Sequence, residues 1–158
     1  MVVKTCRDNI LESKTKQIAF AVTKEGINQF GFANFIAEEY WPELSRIGEH
    51  KLGTVISHES DGIIFHGLVC YSIENGFPDN QEEIIRKCFD NIPSNGNVVS
   101  AVPIGTQFAE IHAGARYKEI FTGIHKSKQK TQIYTGMSVN QIMNFDSYDN
   151  KKKYKKVS

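Results

Sequence analysis

Two loops in this chain carry the residue types that phosphate binding requires. One follows Ala101-Val102 and reads Pro103-Ile104-Gly105-Thr106-Gln107-Phe108; the other follows the apolar run 17–23 and reads Lys24-Glu25-Gly26-Ile27-Asn28-Gln29-Phe30-Gly31. Backbone N–H groups that converge at a helix N-terminus hold a pyrophosphate without any cationic side chain. Glycine lets such a loop take positive φ and approach the phosphates closely. Gly26, Gly31 and Gly105 can serve in this way. Together the two loops predict a nucleotide-sized site. Other chemistry finds little support: the sequence has no H-E-x-x-H, G-x-S-x-G or G-x-x-x-x-G-K-[ST] pattern. Cys6, Cys70 and Cys88 show no C-x-x-C or Cys/His ligand spacing, so no metal and no cofactor are expected.

The elements that must position these loops alternate between strand and helix patterns, the signature of a layered α/β domain. Residues 2–5 read as a short edge strand and 17–23 as a buried one. Between residues 31 and 44, Phe32, Phe35, Ile36, Tyr40 and Trp41 recur at spacings of three and four, which predicts an amphipathic helix. Residues 51–58 and 62–72 are β-branched and aromatic-rich runs joined through Asp61-Gly62, a pair that favours a tight hairpin. Ile84, Ile85, Cys88 and Phe89 form one stripe of a helix over 82–91. Asn95-Gly96 is a turn, 97–103 the next strand, 110–126 a second long helix, and 130–135 a final strand. His66, mid-strand between Phe65 and Gly67, is expected to be a packed or edge-strand residue.

The chain has 158 residues, 40% hydrophobic and 23% charged, with a formal net charge of +1. That length suits one globular domain that buries roughly two-thirds of its unfolded surface. The near-neutral balance supplies no global field for nucleic acid or a membrane. Residues 1–136 are expected to form the domain and 137–158 a polar tail. In that tail Lys151, Lys152, Lys153, Lys155 and Lys156 surround Tyr154; a solvated, solubilising segment is expected, and a nucleic-acid contact through these lysines is the alternative. The odd cysteine count, the lack of a signal-peptide pattern and the lack of a membrane-length apolar run predict a soluble, cytoplasmic protein.

The order of elements and the two loops resemble the macro domain family. The likeness is greatest to the small stand-alone branch that includes terminal ADP-ribose glutamate glycohydrolases and ADP-ribose 1''-phosphate phosphatases. In that branch the first loop commonly reads Gly-x-Gly-[Ile/Leu]-Ala and runs into a helix ending in an aromatic-Pro pair. In Gln29-Phe30-Gly31-Phe32-Ala33 and the later Trp41-Pro42 the second glycine, the alanine and the aromatic-Pro ending match, and the first glycine does not. Leu52-Gly53-Thr54-Val55 corresponds to the family's Gly-x-Val strand. Pro103-Ile104-Gly105-Thr106-Gln107-Phe108 corresponds to its Pro-x-Ile-Gly-x-Gly-Leu loop, one residue shorter and with glutamine for the second glycine.

The resemblance implies a three-layer α/β/α fold with a mixed sheet, and a ligand of the ADP-ribose type. The implied ligand contacts are Asp8, Asn9, Gly26, Asn28, Gln29, Phe30, Gly31, Phe32 and Ala33, with Pro103, Ile104, Gly105, Thr106, Gln107 and Phe108 from the second loop. Gln29 and Gln107 either fill the groove or add donors for an altered ligand, such as a cyclic or substituted ADP-ribose. The lysine and aspartate of the glutamate-specific branch fall near Tyr71-Ser72 and Ala109, which lack that chemistry. Asn28, Glu110 and His112 are the remaining catalytic candidates. Each also has an ordinary structural explanation: a loop cap for Asn28, a helix-dipole partner for Glu110 and a surface position for His112. The expected function is therefore binding of an ADP-ribose-type nucleotide. The alternative is a hydrolase that removes ADP-ribose from a modified protein or dephosphorylates ADP-ribose 1''-phosphate.

Overall fold

The computed structural model describes residues 1–105, 113–138 and 140–141 of the chain. Its β-strands are β1 (Val2–Cys6), β2 (Gln17–Thr23), β3 (Val55–Ser60), β4 (Ile63–Tyr71), β5 (Val99–Ala101) and β6 (Thr131–Tyr134). They form a mixed sheet in the order β1-β6-β5-β2-β4-β3. All neighbouring pairs are parallel except β3 and β4. The helices are α1 (Gly31–Glu39), α2 (Gln81–Asp90) and α3 (Tyr117–Lys126), with 3₁₀ turns at Ile10–Glu12 and Pro42–Ser45.

Strand β2 is buried throughout its length, as a central strand covered on both faces must be. Its side chains alternate between two cores. Ile18, Phe20 and Val22 pack with Ile36 and Ala37 of α1, Trp41, Leu44 and Phe65. Ala19 and Ala21 face the other way, toward Ile85 and Phe89 of α2 and Ile120, Phe121 and Ile124 of α3. The result is a three-layer α/β/α arrangement. The fully buried Phe20, Phe65, Phe89 and Phe121 anchor it, each contributing about 2–3 kcal/mol of transfer free energy.

The hairpin has the register anticipated from Asp61-Gly62, with Ser60 opposite Ile63 and both turn residues at positive φ (53° and 76°). Three elements are shorter than their patterns predict. α1 stops at Glu39 because Pro42 excludes Trp41 from helical geometry, and the chain continues as a 3₁₀ turn. β5 covers only Val99–Ala101, since Asn95-Gly96 turns the chain just before it and Pro103 follows. The last helix begins at Tyr117, after a turn with Gly114 at φ 85°. The part of the predicted 110–126 helix before residue 113 lies outside the described residues. All three cysteines are free, and Cys70 and Cys88 are buried. No described helix is long and apolar enough to cross a membrane.

Candidate functional site

Strands β2 and β5 lie side by side and parallel, with Ile18 opposite Ser100 and Ala19 opposite Ala101. From the C-terminal end of β2 the chain passes into α1 on one face and then builds β3 and β4 on one side. From the end of β5 the chain goes on to α3, on the opposite face, and to β6 on the other side. Adjacent strands whose connections diverge leave a crevice above their carboxyl ends, and open α/β sheets bind ligands there. The β2–α1 loop and residues 103–105, the described start of the second loop, open onto that point.

The β2–α1 loop is held rigidly from below. Asn28 is only 1% exposed. Its Oδ1 accepts the Thr23 N–H at 2.9 Å and its Nδ2 donates to the Leu44 carbonyl at 3.0 Å. The Thr23 hydroxyl donates to the Ile27 carbonyl at 2.9 Å. Segment 45–50 runs alongside the loop: the amides of Ile47 and His50 donate to the carbonyls of Gly26 and Lys24 at 2.8 and 3.0 Å. Gly26 is irreplaceable in this packing, because a Cβ there would stand 2.0 Å from the Gly48 oxygen and its φ is 76°.

Gly31, at φ 65°, turns the chain into α1. Phe30 is the N-cap residue and supplies no side-chain hydrogen bond, so the first-turn amides keep no side-chain acceptor among the described residues. Gln29 is exposed beside them. Phe30 packs against the α2–α3 core, as do Ala113 and Met137. Phe32 sits edge-on to Phe20 with ring centroids 5.7 Å apart, and Ala33 is buried. Phe30 and Phe32 therefore wedge the loop against the two opposite layers.

In the second loop Ile104 is buried and Gly105 takes φ 87°. A Cβ on Gly105 would lie 2.8 Å from Cδ1 of Ile120 and 3.2 Å from Cβ of Ala115. Pro103 is half-buried. Thr106, Gln107, Phe108, Glu110 and His112 lie outside the described residues. Asp8 and Asn9 are exposed at the end of β1, two strands from β5. They line an open groove of about 420 Å³ together with Lys4, Cys6, Glu12 and Tyr134. Asn9 also caps the adjoining 3₁₀ turn by accepting the Leu11 amide at 3.1 Å. Only a ligand laid across the strand ends can reach both these residues and the central loops.

Sequence reasoning missed Glu25. Its Oε2 accepts the Ser72 hydroxyl at 2.5 Å and its Oε1 the Ile73 amide at 2.8 Å. Burial raises its pKa, but the hydrogen bonds from Ser72, Ile73 and Glu74 outweigh that and hold it below the ordinary carboxylate value. No local pattern signals a pairing between residues so far apart in the chain. Burial also pushes the Cys88 thiol and the Tyr117 phenol up to about 12, so neither supplies an anion at neutral pH. Among the described residues no group of three or more His, Cys, Asp or Glu side chains forms a metal site.

The chain adopts the macrodomain fold. A point-mutant macrodomain of Oceanobacillus iheyensis superposes with a TM-score of 0.60 at 20% identity, covering 95% of this chain and 90% of that one. The macrodomain of Mycobacterium tuberculosis DarG gives 0.63 at 12% identity, covering 87% and 99%. The IBV X-domain gives 0.60 at 14% identity, covering 94% and 95%. No family model matches the sequence, and no curated protein matches it. The likeness is one of architecture, carried by topology rather than by shared residues.

Proposed function

We propose that the protein binds ADP-ribose or an ADP-ribose-derived nucleotide across the ends of β2 and β5. The observation that carries this reading is the divergence of α1 and α3 from those adjacent parallel strands, with a positive-φ glycine at each exit. The first-turn amides of α1 and the backbone around Gly105 are the groups assigned to the pyrophosphate. Gln29, exposed at the loop, fits a role in discriminating among substituted or cyclic forms. Asp8 and Asn9 are assigned to the far end of the ligand.

Binding suits the geometry better than hydrolysis. Both polar ends of the Asn28 side chain are already engaged by Thr23 and Leu44, so it is poorly placed to orient water. An ADP-ribosylated protein would present the same ligand group and is included in the proposal.

Titration calorimetry with ADP-ribose, its cyclic form and a ribose-substituted form tests the reading. Saturable binding of at least one is expected. Absence of heat with all three at ligand concentrations of about 1 mM, an affinity limit near −4 kcal/mol, would overturn it.

A further inference from the structure

Three segments meet at the mouth of the crevice, and Glu25 joins the first of them to the second. The β2–α1 loop leaves the sheet at Lys24, whose amide donates to the Tyr71 carbonyl at 2.8 Å. The next residue, Glu25, receives the Ser72 hydroxyl and the Ile73 and Glu74 amides, at 2.5, 2.8 and 3.4 Å. Ser72 accepts in turn from the Asn75 amide at 3.1 Å and pairs through its backbone with Gly76. One carboxylate thereby organises the whole turn that follows β4.

That turn holds the start of the third segment. The Phe77 amide donates to the Ala113 carbonyl at 2.7 Å, and Gly76 passes so close that a Cβ on it would stand 2.1 Å from the same oxygen. Beyond it the Arg116 amide donates to Gln81 Oε1 at 2.6 Å, and the Arg116 guanidinium donates to the Asp79 carbonyl at 2.7 Å. Residues 113–116 are the return of the second loop into α3. The β2–α1 loop and residues 113–116 are thus connected through the 72–77 turn.

We infer that Glu25 is a positioning residue that fixes the β2–α1 loop relative to residues 113–116 by clamping it to the 72–77 turn. The inference rests on the proposed nucleotide site and adds a residue that itself makes no ligand contact. Its sign is distinctive. Removing a carboxylate close to an anionic pyrophosphate would tighten binding if charge alone counted. Removing a clamp weakens it, because the loops must be ordered at the moment of binding.

The experiment compares wild type, Glu25→Ala, Glu25→Gln, Ser72→Ala and the Glu25→Ala/Ser72→Ala pair. The readouts are ADP-ribose calorimetry, urea midpoints and amide hydrogen exchange. Glu25→Ala is expected to weaken ADP-ribose binding by about tenfold or more while the urea midpoint holds, and Glu25→Gln to restore most of it, since the amide oxygen still accepts. The double variant should bind no more weakly than Glu25→Ala, because both residues act in one clamp. Unchanged or tighter binding in Glu25→Ala, or additive losses in the pair, overturns the inference. If wild type binds none of ADP-ribose, its cyclic form and a ribose-substituted form, the nucleotide reading fails and exchange decides the clamp. Ile73, Glu74 and Phe77 amides opening about tenfold faster in Glu25→Ala support it, and unchanged rates refute it.

Discussion

Acidification should destabilise this protein through one buried histidine. His66 is fully buried on β4. Its Nδ1 lies 2.7 Å from the Ser57 hydroxyl on β3, and its Nε2 lies 2.8 Å from Gln17 Oε1 on β2. Gln17 offers an acceptor there, so Nε2 carries the proton and Nδ1 accepts from the serine. Both bonds suit the neutral ring. Desolvation lowers the pKa from 6.5 to about 4. The unfolded chain therefore takes up the proton first. Stability is full above the unfolded value, falls as pH drops below 6.5, and levels off under about 4. The whole difference amounts to about 3 kcal/mol, of which about 2 kcal/mol is lost between about pH 7.5 and about pH 5. Urea denaturation across that range measures it, with the His66 Cε1 proton shift followed by NMR as a direct titration. His66→Gln should remove this part of the pH dependence. Gln17→Glu should raise the histidine pKa by placing a carboxylate against Nε2. A folded-state pKa near 6.5, or an acid profile identical in wild type and His66→Gln, would refute the reasoning.

Two other substitutions separate structural from ligand roles. Asn28→Ala leaves the Thr23 amide and the Leu44 carbonyl buried without partners and should cost about 3 kcal/mol of folding stability by urea titration. An undiminished midpoint would show that these two hydrogen bonds do not hold the loop. Gly105→Ala forces a side chain into positive φ and against Ile120 and should destabilise by about 2 kcal/mol, read as a lowered thermal midpoint. No change would mean that the second loop readjusts freely.

What could be read along the chain was whatever depends on near neighbours. Gln17–Thr23 reads as a strand because it is continuously apolar, and the Asp61-Gly62 pair places the hairpin turn correctly, since turn geometry is set by two residues. The helix pattern over 31–44 misled because Tyr40 and Trp41 do keep apolar spacing, yet Pro42 changes the backbone beneath them. At the site, the glycines announced themselves through their need for positive φ. Asn28 did not announce its task, because capping a loop and touching a ligand call for the same side chain. Glu25 and Ser72 were silent for a different reason: they meet only after β2 and β4 have paired, and no spacing records that event.

The position of β6 between β1 and β5 orders events in time. Val2 pairs with Thr131, so the first strand of this domain to be synthesised has no partner until nearly the whole domain has been made. β3 and β4 can close their hairpin at once, whereas β1 must wait with an unpaired backbone for the arrival of β6. Long-range parallel pairing of this kind is slow. The closing step of folding should thus be the joint docking of β6 and β1, and a chain stalled before residue 131 would carry an open β5 edge, available to other chains.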